Sequence, residues 1–138
     1  MKSKKVKKPS IKKLQEILWD LCRKLIDKIY CPDGKAVCYT CGTSIEGSNK
    51  HLSHFIPRST CGASLKYDLR NLRWCCMRCN VWLGGNGATF YRNMVKLEGQ
   101  AYVDELFRIK NQVSIKADII FYMKKIKEYE DLLKYYTQ

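Results

Sequence analysis

Two Cys-x-x-Cys pairs, Cys38-Tyr39-Thr40-Cys41 and Cys76-Met77-Arg78-Cys79, constrain the fold of this chain more than any other feature. Each pair lets two thiolates reach one ion from a single tight turn. Two pairs complete the four-sulfur tetrahedral shell that structural zinc prefers. A closed shell leaves no open position, so the zinc is expected to staple the fold rather than to catalyse. The 34 residues between Cys41 and Cys76 exceed the roughly 15 to 20 of a simple four-cysteine ribbon. That loop holds both histidines of the chain, His51 and His54, and Asn80 follows the last cysteine directly.

A chain of 138 residues fits one domain with appendages. The formal net charge is +13, and seven lysines fall in the first 13 residues with no acid among them. A strong positive field favours polyanions, chiefly nucleic acid, because each neutralised phosphate releases condensed counterions. The competing partner, an anionic membrane surface, is opposed by the lack of any apolar run long enough to span a bilayer. No apolar segment of a secretion signal follows the lysines. A soluble, cytoplasmic protein with reduced cysteines is expected. Cys75 adjoins Cys76, but the symmetry of two two-residue spacers assigns Cys76 with Cys79 as ligands. Cys61 reads as a free thiol and Cys22 as a small buried apolar residue.

Residues 1–9 carry too little apolar content to fold and read as a basic arm. From Ser10, a plausible N-cap, Ile11, Leu14, Leu18, Leu21, Leu25, Ile26 and Ile29 recur at helical spacing, predicting a helix over 10–30. Its stripe reads as core or dimer contact. Residues 31–99 are expected to form the cysteine-stapled core. There Val37 to Thr40 leads into the first knuckle, a turn at Gly47-Ser48-Asn49 precedes the strand His51 to Ile56, and the pair reads as a β-hairpin. Arg58 to Asp68 reads as loop. Asn71 to Trp74 is an extended piece delivering the second knuckle, and Val81-Trp82-Leu83 begins a helix broken at Gly84 to Gly87. Residues 100–138 form a C-terminal helical region. Helices are expected around Phe90 to Leu97, closed by Gly99, around Ala101 to Phe107, and from a cap at Ser114 onward.

Phosphodiester hydrolysis needs a base to activate water and a cation to stabilise the leaving oxygen. A β-hairpin followed by a helix and held by zinc can set one histidine opposite one metal ligand. His54 is the natural base, because it lies in a strand and histidine titrates near working pH. Asn80 can offer an amide oxygen to a divalent ion, and Asn71 can pin the loop by bonding backbone groups. His51, at odd spacing from His54, falls on the opposite strand face and reads as a polar surface residue.

The string Cys38 to Cys41, Ser53-His54-Phe55, Tyr67-Asp68-Leu69-Arg70-Asn71, Cys76 to Asn80 and Gly85-Asn86 resembles the phage NinG (Rap) recombination-protein family. The likeness continues through Tyr91-Arg92, Leu97 to Gln100 and Val103 to Leu106, covering about residues 31–135. The residues around His51 to His54 and Cys79-Asn80 also resemble phage endonuclease VII, a zinc-containing junction resolvase of the His-Asn-His (ββα-metal) type. The resemblance implies an α+β fold with a small zinc-stapled ββα-metal core flanked by amphipathic helices. It implies a structure-specific DNA endonuclease acting on branched recombination intermediates such as Holliday junctions or D-loops, with a catalytic magnesium or other divalent ion. In that comparison His54 falls on the general base, Asn80 on the metal ligand and Asn71 on the middle asparagine. Ser53 departs from the pattern, standing where many such enzymes place an aspartate or histidine ligand. Magnesium tolerates few protein ligands, and His51 or Asp68 can substitute if the strand bulges.

Arg58, Lys66, Arg70, Arg73, Arg78 and Arg92 are the candidate phosphate contacts. Half a dozen such contacts give a steep salt dependence, with a log-log slope of about −0.9 per phosphate. Trp74 and Trp82 flank the second knuckle, where core packing over the zinc is favoured above base stacking. A branched substrate with near two-fold symmetry implies a homodimer, through the first or the last helix. The alternative readings are a non-catalytic zinc module that binds branched DNA or RNA, and an interaction protein assembled through its long helices.

Overall fold

The computed structural model describes residues 7–138. The first part of the basic arm, residues 1–6, lies outside the described residues. Helix α1 spans Ile11–Tyr30, and the Ser10 side chain caps it by accepting from the Lys13 N–H. Its stripe of Leu14, Leu18, Leu21, Cys22, Leu25 and Ile26 is buried. That stripe packs mainly against the last helix, Ile119–Tyr136, called α5 below. The first and last elements therefore close the molecule on each other. Burying one leucine of such a seam contributes about 1.5 to 3 kcal/mol.

Between them the chain makes two small antiparallel sheets. Strands β1 (Ala36–Val37) and β2 (Ser44–Ile45) pair across the first knuckle. Strand β3 (His51–His54) pairs with β4 (Leu72–Cys75), His51 opposite Cys75 and His54 opposite Leu72. The expected hairpin between Val37 to Thr40 and His51 to Ile56 is thus replaced by two separate pairs. Thr43 and Cys38 close the first knuckle onto itself, the Cys38 N–H donating to the Thr43 carbonyl. This leaves β3 free for the strand that delivers the second knuckle.

The segment from Arg58 to Asp68 is not all loop, since α2 spans Gly62–Lys66. After β4 the chain enters a π-helical turn, Arg78–Trp82, in which the Leu83 N–H reaches back to the Arg78 carbonyl. The helix expected to begin at Val81 is this wide turn instead, and the regular helix α3 starts only at Gly87, ending at Glu98. Gly99, at φ 99, separates it from α4 (Gln100–Gln112), a left-handed conformation that glycine adopts without a Cβ clash. The last helix is capped by Asp118, which accepts from the Phe121 N–H, so the expected cap at Ser114 lies one turn too early. The fold is α+β. Among the described residues, no helix is long and apolar enough to cross a membrane.

Candidate metal centre and nucleic-acid groove

The sulfurs of Cys38, Cys41, Cys76 and Cys79 lie within 4.8 Å of one another. Cysteine thiolates at this spacing suit tetrahedral zinc. Burial opposes ionisation of Cys38, but N–H groups of Cys41, Cys76 and Thr40 and the Thr40 hydroxyl bring its thiol down to about 6, whereas burial pushes the Cys76 thiol up to about 11. The Cys79 N–H points at the Cys76 sulfur at 3.4 Å, and the Asn86 amide at the Cys79 sulfur at 3.6 Å. These donors stabilise anionic sulfur and orient the ligands from outside the shell. Asn93 on α3 donates to the carbonyls of Tyr39 and Thr40 at 2.8 and 3.1 Å, tying the first knuckle to the helical frame. Cys75 stands outside the cluster, its buried thiol pushed up to about 12 by desolvation and the Cys38 charge.

The second knuckle carries Asn80 to the face of β3. Ser53 donates its hydroxyl to Asn80 Oδ1 at 2.7 Å, and Asn80 Nδ2 donates to His51 Nδ1 at 3.2 Å. His51 Nε2 meets the Ser48 carbonyl at 3.0 Å. A carbonyl only accepts, so Nε2 carries the proton and Nδ1 the lone pair. The chain of donors runs in one direction from Ser53 to Ser48. His51 is therefore not an unconnected surface residue, and no bulge brings it there: positions 51 and 53 share one face of a regular strand. Asp68 is elsewhere, capping the turn before Asn71 and paired with Arg70 at 2.7 Å. It cannot stand in for a ligand at Ser53.

His54 projects from the opposite face of β3. Its Nε2 donates to the Lys66 carbonyl at 2.9 Å, by the same reasoning, leaving Nδ1 with a free lone pair. The Trp19 indole from α1 stacks on the imidazole, ring centres 5.4 Å apart. Burial pulls its pKa below the ordinary histidine value; the Lys66 carbonyl opposes this, and the Arg58 and Lys66 charges add to it. His54 and Asn80 meet again at a surface groove of about 660 Å³, which Ser53, Arg58, Lys66 and Gly85 also line. Strand alternation separates the two side chains, and the groove around the strand end rejoins them.

Asn71 is fully buried. Its amide accepts from the Ile56 N–H at 2.8 Å and donates to the Ile56 and Leu65 carbonyls at 3.1 and 3.3 Å. It pins the chain that leaves β3 to the end of α2, so it positions His54 and Lys66 without facing the groove.

The basic residues divide. Arg58, Arg78 and Arg92 are exposed, Lys66 is half-buried at the groove, and Arg70 is exposed but engaged with Asp68. Arg73 is 1% exposed and is not a phosphate contact. It donates to the Leu69, Arg70 and Leu72 carbonyls and to the Tyr102 hydroxyl, pairs with Glu98 at 3.3 Å, and lies over the Tyr30 and Tyr39 rings. A charge can be buried only when paired and hydrogen-bonded in this way. The side chains around it, Tyr30, Tyr39, Glu98 and Tyr102, come from distant elements, so no local sequence signal marks its burial. Trp74 is core, as expected, whereas Trp82 is 72% exposed. Trp19 and Asn93 were missed because contacts across elements, not spacing, give them their roles. The His51 to Asn80 link had a signal in the two-residue period of the strand.

Fold and centre together define a small α+β protein organised around a four-cysteine centre suited to zinc. The family model for the Bacteriophage Lambda NinG protein matches residues 1–138, and the chain belongs to that family. No curated protein and no solved structure matches it.

Proposed function

We propose that this protein is a metal-dependent endonuclease acting on branched DNA in phage recombination, with His54 as general base. The observation that carries the reading is the state of His54. Its proton is held on Nε2 by a backbone carbonyl, burial favours the neutral ring, and it borders the groove that Asn80 lines. A neutral imidazole with a fixed tautomer is what a general base requires.

In this mechanism a water in the groove gives its proton to His54 Nδ1 as its oxygen bonds to phosphorus. The bond from phosphorus to the leaving oxygen then breaks, and that oxygen takes a proton from solvent water. Arg58 and Lys66 hold the non-bridging oxygens, with the more peripheral Arg78, Arg92 and Arg70 positioning the flanking backbone. Asn80 Oδ1 and Ser53 Oγ would hold a divalent ion, which would supply charge stabilisation at the leaving oxygen. Both are neutral oxygens 2.7 Å apart, compatible with an ion that keeps several waters. His51 Nδ1 becomes a third donor if Asn80 releases it, and imidazole would then favour manganese, cobalt or zinc over magnesium. Paired cuts across a two-fold substrate call for two sites, hence a homodimer working in the host cytoplasm.

One observation favours a second reading. The Ser53, Asn80 and His51 side chains satisfy one another without a cation, which suits a binder of branched DNA that does not cut.

A nicking assay separates the two, using four-way, three-way and linear DNA with magnesium or manganese. Wild type should cut branched DNA, and His54→Ala and Asn80→Ala, with zinc content checked, should lose about 100-fold or more. Undiminished activity in His54→Ala refutes the base assignment. Tight branched-DNA binding without cleavage under any divalent ion establishes the second reading.

A further inference from the structure

The π-helical turn that carries Asn80 into the groove also displays apolar side chains outward. Met77 is 39% exposed, Val81 55%, Trp82 72% and Leu83 45%. Large apolar residues scattered singly on a surface are ordinary, but four within seven positions form a patch that calls for a partner. This one sits on rigid backbone. Cys76 and Cys79 fix its start at the metal centre, and the Gly85 N–H bonds back to the Cys79 carbonyl at 2.9 Å to close its end.

Charge selects the partner. Between Glu46 and Glu98 the only acidic residue is Asp68, and Arg70 neutralises it. The same interval contains Arg58, Lys66, Arg78, Arg92 and Lys96 in addition to the arginines already paired or buried and to Lys50, which pairs with Asp27. An apolar surface in a field of one sign, beside a basic groove, suits a polyanion with exposed aromatic faces. Unpaired nucleobases have both properties. Trp82 stands two residues after Asn80 and two before Gly84, both of which line the groove. Trp82 does not itself line the groove, so a wedge at this place would meet a base at the groove's rim.

We propose that Trp82, supported by Leu83, is a stacking wedge that takes up an unpaired or unstacked base at the branch point and so gives preference for branched over linear DNA. The inference rests on the reading of the groove as a DNA site and not on cleavage. The continuous interior of a duplex offers no free base face, whereas a junction that opens at its branch point, a flap or a displaced strand does.

The test is binding without added divalent ion, so that cutting plays no part. A four-way junction carrying 2-aminopurine at the branch point and a linear duplex of the same sequence are titrated with wild type, Trp82→Ala and Trp82→Phe. Base stacking of this kind sets the expected loss for Trp82→Ala at about tenfold or more on the junction, with linear affinity unchanged. The 2-aminopurine signal should change with wild type and Trp82→Phe but not with Trp82→Ala. Because Trp82 is exposed, zinc content and melting temperature should match wild type in both variants. Equal junction affinity and equal signal in Trp82→Ala overturn the proposal and leave the patch to a protein partner. Trp82-dependent junction binding by a protein that never cleaves sustains the wedge while the nuclease reading falls. Junction binding that ignores Trp82, by a protein that cuts branched DNA in the separate nicking assay, does the reverse, and failure to bind any DNA overturns both.

Discussion

Leu18 on α1 and Asn71, directly before β4, are both at 0% exposure, and what holds each inside differs. Leu18 belongs to a seam in which α1 and α5 cover each other's apolar stripes, so its burial is favourable without any specific partner. Asn71 is surrounded by a short, irregular stretch of chain and stays inside because all its amide bonds are made. The helical frame is therefore held by area and the cysteine module by specific donors, acceptors and a thiolate centre. Strands of two to four residues bury little surface of their own, and such a module depends on its staple. The site lies where the two regions meet, with His54 from the module stacked on Trp19 from the frame.

Removing the metal breaks that comparison hardest. Structural zinc contributes about 10 to 16 kcal/mol of apparent folding free energy in small zinc-finger peptides. Chelation, or Cys79→Ser, should therefore abolish fixed packing around Trp74 while the far-UV signal of the paired helices largely persists. Near-UV and far-UV circular dichroism recorded together check this. Simultaneous loss of both signals would mean that frame and module form one cooperative unit.

Next in size is Leu18→Ala, which leaves a cavity in the seam and should cost about 2 to 5 kcal/mol. Denaturant melts measure the loss, and zinc stoichiometry should not change. Asn71→Ala should cost on the order of 2 to 3 kcal/mol by stranding the Ile56 N–H and the Ile56 and Leu65 carbonyls. Its signature is local: hydrogen exchange at the Ile56 amide should speed up far more than exchange along α1. Uniform acceleration would place Asn71 with the frame and not the module.

The same division governs what the sequence made legible. Helix α1 could be read to within a residue from Ser10 to Tyr30, because periodicity and a cap are local signals. Gly99 marked the break between α3 and α4 for a similar reason. The four cysteines were legible through spacing alone. Strand pairing was not, since β3 passes over the nearer extended segment to join β4, and that choice depends on the first knuckle closing on itself. Asp118 won the cap from Ser114 because the segment between them stays outside any helix, which neither residue type announces. Arg73 looked like its exposed neighbours, and only Tyr30, Glu98 and Tyr102 converging from three helices make it a core residue. His54 and Asn80 were identified as a pair, but the Trp19 stack and the His51 bond that orient them arise from tertiary contact.

The smallest effect lies at the junction of the two regions. The native fold favours the neutral form of His54, its pKa pulled down chiefly by burial, so the unfolded chain binds a proton more readily as pH falls. Stability then rises with pH through the interval between the depressed native value and the ordinary value near 6.5. Above that interval both states are neutral and the contribution to the slope vanishes. His54→Gln should flatten this part of the stability profile, leaving the metal centre to dominate at lower pH through protonation of its thiolates. Any catalytic rate that depends on neutral His54 should keep its acid limb below pH 6.5, since the base remains deprotonated there. An acid limb above that value would mean that the imidazole is more solvated than its place under Trp19 implies. The coupling of module to frame would then be looser than the stacked rings suggest.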